Sequence, residues 1–369
     1  MDIEMDKTSE LKGILGDFLK WNNARLTCFT QMLLALFAVR TVNLRELAVA
    51  FVSNALIDSR YKRVKRFFAT FKIDMDIIAR WVFKLFFSEE NKIYLTIDRT
   101  NWFWGKAKIN ILTLGIAHEG VAIPVLWQLL NKAGNASAAE HQALLERFIK
   151  IFSKDCIAGV LGDREFASGE LFSWFNENKI PFYIRIKEGS NVYIKNKKLY
   201  TAGKIFNRLN LRENRPFMMR VSMYGQKIYL GGARSERGEL MIVATNQNPN
   251  TAITIYLRRW EIECLFQGLK GRGFRFEETH ITKLERIEKL MALLTVGFCW
   301  AHKVGEWYAK VKPIVFNKYR NSQRPQYTYF RYGFDLIRDA LFNISKRAKE
   351  FKTYIKQIAG FNLLEGEFI

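Results

Sequence analysis

From Leu11 to Phe86 apolar residues recur at three- and four-residue spacing with almost no glycine or proline between them, a pattern that predicts a helical N-terminal region. Within it Asn43 is placed to cap a helix running through Leu44, Leu47 and Phe51, and a break near Ser53 and Asn54 precedes a second helix. The period then shortens. Lys92–Asp98, Ile109–Ala117 and Val121–Leu126 read as three strands joined by turns, the last turn marked by Glu119-Gly120. A helix over Ala138–Phe152, a buried strand at Ile157–Leu161, a helix around Gly169–Glu177 and a strand at Phe182–Lys187 follow. Alternating segments between Gly189 and Asn246, among them Asn191–Ile194, Phe217–Met223, Lys227–Leu230 and Leu240–Thr245, predict a β-rich insertion. From Thr254 the helical period returns, first through Lys270 and again over about Leu284–Lys310, ahead of a basic C-terminal region.

Three hairpin-connected strands followed by helix, strand, helix and strand make a mixed α/β layer, an order compatible with a ribonuclease-H-like core. The expected division is a helical domain over residues 1–90, a core in two parts over 91–188 and 247–311, the β-rich insertion over 189–246 between them, and a helical region over 312–369. A chain of 369 residues suits two or three packed domains.

Charge sharpens this picture. Lys and Arg number 58 against 36 Asp and Glu, a net charge of +22, while 49% of residues are hydrophobic. The apolar content excludes a disordered basic tail. The charge points to a polyanionic partner, nucleic acid first and an anionic membrane surface second. Because the basic residues occur throughout rather than on one amphipathic helix, nucleic acid is favoured. Within the N-terminal region, Arg60, Lys62, Arg63, Lys65 and Arg66 fall on a helix whose apolar face is continued by Phe67 and Phe68, an arrangement suited to DNA phosphates or, alternatively, a solvated basic face. The cysteines at 28, 156, 264 and 299 form no C-x-x-C pair, so neither a structural zinc site nor a disulfide framework is expected. The longest uncharged apolar run, Leu290–Ala301, falls short of the roughly 20 residues that span a bilayer, and the expectation is a soluble, cytoplasmic protein.

Three acidic residues stand out. Asp98 ends the apolar strand Ile93–Ile97, and Asp163 follows the apolar run Ile157–Leu161 and Gly162. Carboxylates at the ends of neighbouring strands form half of a magnesium site, whereas either one alone reads as a helix cap or an arginine partner. The third is Glu263. On a helical wheel with Tyr256 at zero, Arg259 falls near 300°, Glu263 near 340° and Lys270 near 320°, so all four share one face. An ordinary i,i+4 ion pair accounts for Arg259 and Glu263 but leaves Tyr256 and Lys270 unexplained. Glu261 lies on another face, and Glu165, too close to Asp163 to point the same way, is expected to be structural.

The spacing Tyr256, Arg259, Glu263, Lys270 resembles the YREK signature of bacterial insertion-sequence transposases of the IS-four family, DDE enzymes with a ribonuclease-H-like core. The resemblance extends to Ile123–Leu130 with Lys132 and Gly134-Asn135, to Asp163-Arg164-Glu165-Phe166, to Phe182–Lys187 and to Phe330-Arg331-Tyr332-Gly333. The interval of 100 positions between Asp163 and Glu263 leaves room for the β-rich insertion that this family shows. The resemblance implies that Asp98, Asp163 and Glu263 are catalytic and bind two Mg2+ ions (Mn2+ can substitute), and that Tyr256, Arg259 and Lys270 contact DNA phosphate. It further implies a homodimer that binds terminal inverted repeats, cleaves them and transfers the element to a new site. Two alternatives differ in chemistry: a nuclease of the same core that cleaves without joining, and a transposase-derived DNA-binding protein without catalysis. Of the four histidines only His280 matches the family's pattern, and it reads as a packing or capping residue. Trp102, Trp104 and Trp127 lie near the site in sequence order and read as core.

Overall fold

The structure, a computed structural model, describes residues 2–88, 90–194, 198–319 and 322–360. They fall into two compact units: a helical one containing residues up to Ser88, Trp102–Ile109 and the chain from Leu265 onward, and a sheet unit of Glu89–Asn101 and Asn110–Cys264.

The helical unit begins with α1 (Asp2–Leu19), α2 (Asn23–Val39), α3 (Leu44–Val49), α4 (Ile57–Thr70) and α5 (Met75–Phe86). Asn22 and Asn43 start α2 and α3 as side-chain caps, each Oδ1 accepting from the backbone N–H of Arg25 and Arg45 at 3.0 and 2.9 Å.

The sheet unit contains ten strands in the order β3-β2-β1-β4-β5-β10-β9-β8-β6-β7. The first five are β1 (Ile93–Trp104), whose last residues belong to the helical unit, β2 (Ala107–His118), β3 (Val121–Leu129), β4 (Ile157–Gly162) and β5 (Phe182–Ile186). β2 and β3 are antiparallel, while β4 runs parallel to both β1 and β5. Parallel neighbours need crossovers, here through α6 (Ala138–Phe152) and α7 (Gly169–Glu177). The near-continuous apolar runs of β4 and β5 fit strands covered on both faces. The inserted strands β6 (Asn191–Ile194), β7 (Lys198–Thr201), β8 (Asn214–Met223), β9 (Gln226–Arg234) and β10 (Leu240–Thr245) form no separate layer. They extend the same sheet through an antiparallel β10–β5 pairing that sets Ile242 opposite Ile186. A short α8 (Ala202–Ile205) interrupts them, and α9 (Ala252–Leu257) and α10 (Trp260–Leu269) follow.

The helical unit resumes with α11 (Leu284–Val311), buried continuously over Lys289–His302. The apolar run Leu290–Ala301 is therefore the central helix of this unit. No helix among the described residues is long and apolar enough to cross a membrane. The expectation of an entirely helical C-terminal region needs correction. Pro313 disfavours helix at the residue before it, Lys312 turns to φ −131°, and the chain forms the hairpin β11 (Phe316–Tyr319) and β12 (Ser322–Pro325) before α12 (Tyr329–Phe342) and α13 (Ala348–Gln357). Residues 361–369 of that predicted region lie outside the described residues. Gly333, from the segment Phe330–Gly333, meets α11 where a Cβ would lie 1.9 Å from the carbonyl oxygen of Ala301; a Cβ on Gly305 would lie equally close to that of Tyr329. The α11–α12 crossing thus requires glycine on both helices, which gives that part of the motif a packing role.

Candidate active site

The parallel register builds the first half of the site. Ile97 on β1 pairs with Gly162 on β4 as the last pair of this register, and Asp98 and Asp163 are the residues that follow each of them. Asp98 lies within β1, which continues to Trp104, and is held by its own backbone, Oδ1 accepting from the N–H of Arg99 at 2.7 Å. Asp163 leaves β4 and caps a short 3-10 turn, accepting from the backbone N–H of Glu165 at 2.8 Å.

The second half comes from the segment after the insertion. Arg259 places one guanidinium nitrogen 3.4 Å from Asp98 Oδ2 and donates with another to Glu263 Oε1. One side chain, 14% exposed, therefore gathers two of the three acids. Burial pushes the Asp98 carboxyl up to about 6 from 3.8; the negative charges of Asp163 and Glu263 push the same way, against the Arg99 N–H and Arg259. The charges of Asp163 and Glu263 both act on Asp98, so the three carboxylates are neighbours around Arg259.

Behind the acids lies a clamp. Arg99 donates from both Nε and Nη2 to the two oxygens of Glu165, the second bond at 2.7 Å, with the pair only 10% and 14% exposed. Its Nη1 donates to Asn110 Oδ1 at 3.1 Å and to the Gly134 carbonyl at 2.8 Å, and Nη2 also reaches Asn135 Oδ1 at 2.9 Å. Arg99 follows Asp98, and Glu165 lies two residues beyond Asp163, so this bidentate pair ties together the backbone that presents both aspartates. The expected structural role of Glu165 is met in this form. The sequence held no local signal for its partner.

Tyr256, Arg259, Glu263 and Lys270 do not lie on one continuous helix. Between α9 and α10 the backbone tightens to i→i−3 bonds, Arg258 and Arg259 donating to Ile255 and Tyr256, and Glu261 and Ile262 to Arg258 and Arg259. Each residue then advances about 120° instead of 100°, so a single wheel fails across the joint. Tyr256 turns inward, 4% exposed, into a cluster with Leu161, Tyr183, Val243, Ala252 and Ile253, its ring 5.9 Å from the Arg259 guanidinium. Arg258 closes the joint from the other side, donating to the Ala117 carbonyl at 2.9 Å and pairing with Glu261 at 3.2 Å. Lys270 lies past α10 in the helical unit, its amine 5.2 Å over the Trp102 ring and its pKa lowered by burial.

The basic residues of α4 also divide. Arg60 caps local backbone, donating to the carbonyls of Ala55, Val49 and Phe51, and Arg63 reaches the Ala24 carbonyl at 3.4 Å. Lys62, Lys65 and Arg66 are exposed. Of the three tryptophans, Trp127 is core at 2% exposure. Trp102 packs edge-on against Phe276, whereas Trp104 is 39% exposed and stacks on His280 at 4.4 Å.

The chain belongs to the transposase DDE domain family, whose model it matches over residues 97–299, a span that contains Asp98, Asp163 and Glu263. Transposases of this kind use divalent metal ions. No curated protein matches the chain. Among solved structures it is similar to a piggyBac transposase in a synaptic complex with hairpin DNA, at 12% identity over 94% of this chain and 78% of that one, with a TM-score of 0.46.

Proposed function

We propose that this transposase binds the terminal inverted repeats of an insertion sequence and moves it by cut-and-paste transposition, using Mg2+ or Mn2+ held by Asp98, Asp163 and Glu263 in a ribonuclease-H-like core. What supports this reading is the proximity of the three acids: Asp98 and Asp163 each follow a residue of the last β1–β4 pair, Ile97 and Gly162, and Arg259 contacts both Asp98 and Glu263. Cleavage is attack of water on an end phosphodiester that leaves a 3′-hydroxyl; joining is attack of that hydroxyl on a target phosphodiester, forming one P–O bond as another breaks. A bound pair of divalent cations supplies charge stabilisation at the entering and leaving oxygens and makes the hydroxyl acidic. The protein's part is positional. The Arg99–Glu165 clamp ties the segment after β4 to β1 beside Asp98. Arg259 neutralises part of the acidic cluster in the free protein and lies within reach of a phosphate brought to it. Lys270 and the exposed cations of α4 supply charge to the DNA backbone, in a complex formed by a homodimer.

Purified protein incubated with Mg2+ and a plasmid carrying the DNA that flanks its coding region tests this directly. We expect breaks at matched inverted repeats and joining of a precleaved end into a second plasmid. Asp163→Asn and Glu263→Gln should each abolish both reactions while leaving end binding in a gel shift. Near-normal cleavage by either variant overturns its assignment, and cleavage without joining makes the protein a nuclease.

A further inference from the structure

A second site lies in the helical unit, remote in sequence from the three acids. A cavity of about 230 Å³ opens where α3, α4 and the start of α11 meet, and Asn43, Tyr61, Lys65, His280, Lys283 and Arg286 are among its polar lining residues. Three cationic side chains face one small space, and no carboxylate lines it. Like charges gathered in this way repel unless an anion completes the site. The elements that hold them are fixed. Lys65 sits 5.4 Å over the Tyr61 ring, and the same ring carries Arg45 at 5.6 Å, itself paired to Asp58 at 2.5 Å. Below, the amine of the buried Lys289 donates to the Phe68 carbonyl at 2.9 Å, fastening α11 to α4. His280, which lines the cavity, lies flat against Trp104 with an interplanar angle of 18°, and Trp104 is 39% exposed. Ammonium and guanidinium donors, a tyrosine hydroxyl and an asparagine amide make a donor-rich pocket, and the Trp104 ring offers a face on which a nucleobase stacks.

We infer that this cavity is a phosphate-binding site that seats a phosphodiester of the DNA backbone, held by Lys65, Lys283 and Arg286. The choice of DNA over another polyanion rests on the transposase reading above. Of the residues involved, only Lys65 belongs to the basic stretch of α4; Lys283 and Arg286 bring in a second segment of the chain.

The test is DNA binding by the full-length protein without divalent metal, read by fluorescence anisotropy of a labelled duplex over a range of salt. The Lys283→Ala, Arg286→Ala double variant should bind more weakly, with a log–log salt slope smaller by about one for the lost phosphate contact. Inorganic phosphate should raise the melting temperature of the wild type and leave that of the double variant unmoved. Lys65→Ala, which removes one exposed amine, repeats the comparison should the double variant fold poorly. If correctly folded variants keep the wild-type affinity and slope, the cavity is not a DNA phosphate site, whereas a phosphate shift alone identifies a small-anion site and equally overturns the inference. A wild type that binds no duplex at any salt overturns the transposase reading as well. One that binds duplex and nicks end DNA with Mg2+, beside variants with unchanged slope, overturns the cavity alone.

Discussion

Replacing Asp98 with asparagine should make the metal-free protein more stable. Burial and the nearby Asp163 and Glu263 raise the Asp98 carboxyl from 3.8 to about 6, an increase that the Arg99 N–H and Arg259 do not cancel. At about 1.4 kcal/mol for each tenfold change in acidity, ionised Asp98 opposes folding by about 3 kcal/mol relative to its neutral form. The sign follows from proton uptake. Because the folded state holds the proton more tightly than the unfolded chain, the group favours folding below about pH 4, and this contribution is lost as the pH rises through about 6. Asparagine stays neutral throughout. Asp98→Asn should therefore exceed the wild type by up to about 3 kcal/mol at pH 7, the gap closing towards pH 4. Denaturant titrations at a series of pH values, with chelator present, give the difference directly. Added Mg2+ or Mn2+ should then raise the wild type by mass action and leave the variant unmoved. A variant no more stable than the wild type at neutral pH, or a gap independent of pH, would refute the reasoning.

Glu165→Ala strands the Arg99 guanidinium in a site where it is only 10% exposed and should cost about 3–5 kcal/mol, while adding Arg99→Ala should cost much less than the sum because no unpaired charge then remains; a double-mutant cycle by denaturant unfolding measures the coupling. Gly333→Ala places a methyl against the Ala301 carbonyl, forces α12 off α11 and should cost at least about 1–3 kcal/mol, read as a lower melting temperature.

Local pattern revealed some of this molecule and concealed the rest for definable reasons. Asp98 and Asp163 stood out because each follows an apolar run; Asp163 does leave its strand, but β1 continues past Asp98 to Trp104, so the strand end expected at Asp98 was wrong, the polar Arg99–Asn101 having masked the continuation. Glu263 was legible through its i,i+4 relation to Arg259, which the structure retains as an ion pair. Tyr256 was misplaced because no glycine or proline marks the joint at Arg258 and Arg259. The tightening accompanies tertiary contacts, Arg258 reaching the Ala117 carbonyl and Arg259 reaching Asp98, which periodicity does not encode. Arg60 looked like its neighbours on α4 but is committed to three backbone carbonyls. The partner of Glu165 lies 66 positions away in sequence, so only the fold could supply it.

Charge balance at the sheet edge links these residues into one device. Arg99 follows Asp98, yet its guanidinium is neutralised by Glu165, so that pair adds structure without adding net charge. Arg259 remains as the cation in contact with both Asp98 and Glu263. Three ionised carboxylates against this guanidinium leave an excess of about two negative charges in a largely buried place, the charge of one divalent cation. In the free protein that excess is relieved in the two ways the geometry offers: Arg259 folds in among the acids, and Asp98 holds its proton to about pH 6. Both devices involve groups that a cation and a DNA phosphate would compete for. The same imbalance that makes Asp98→Asn stabilising therefore favours a divalent cation at the proposed site, and removing it should remove both effects.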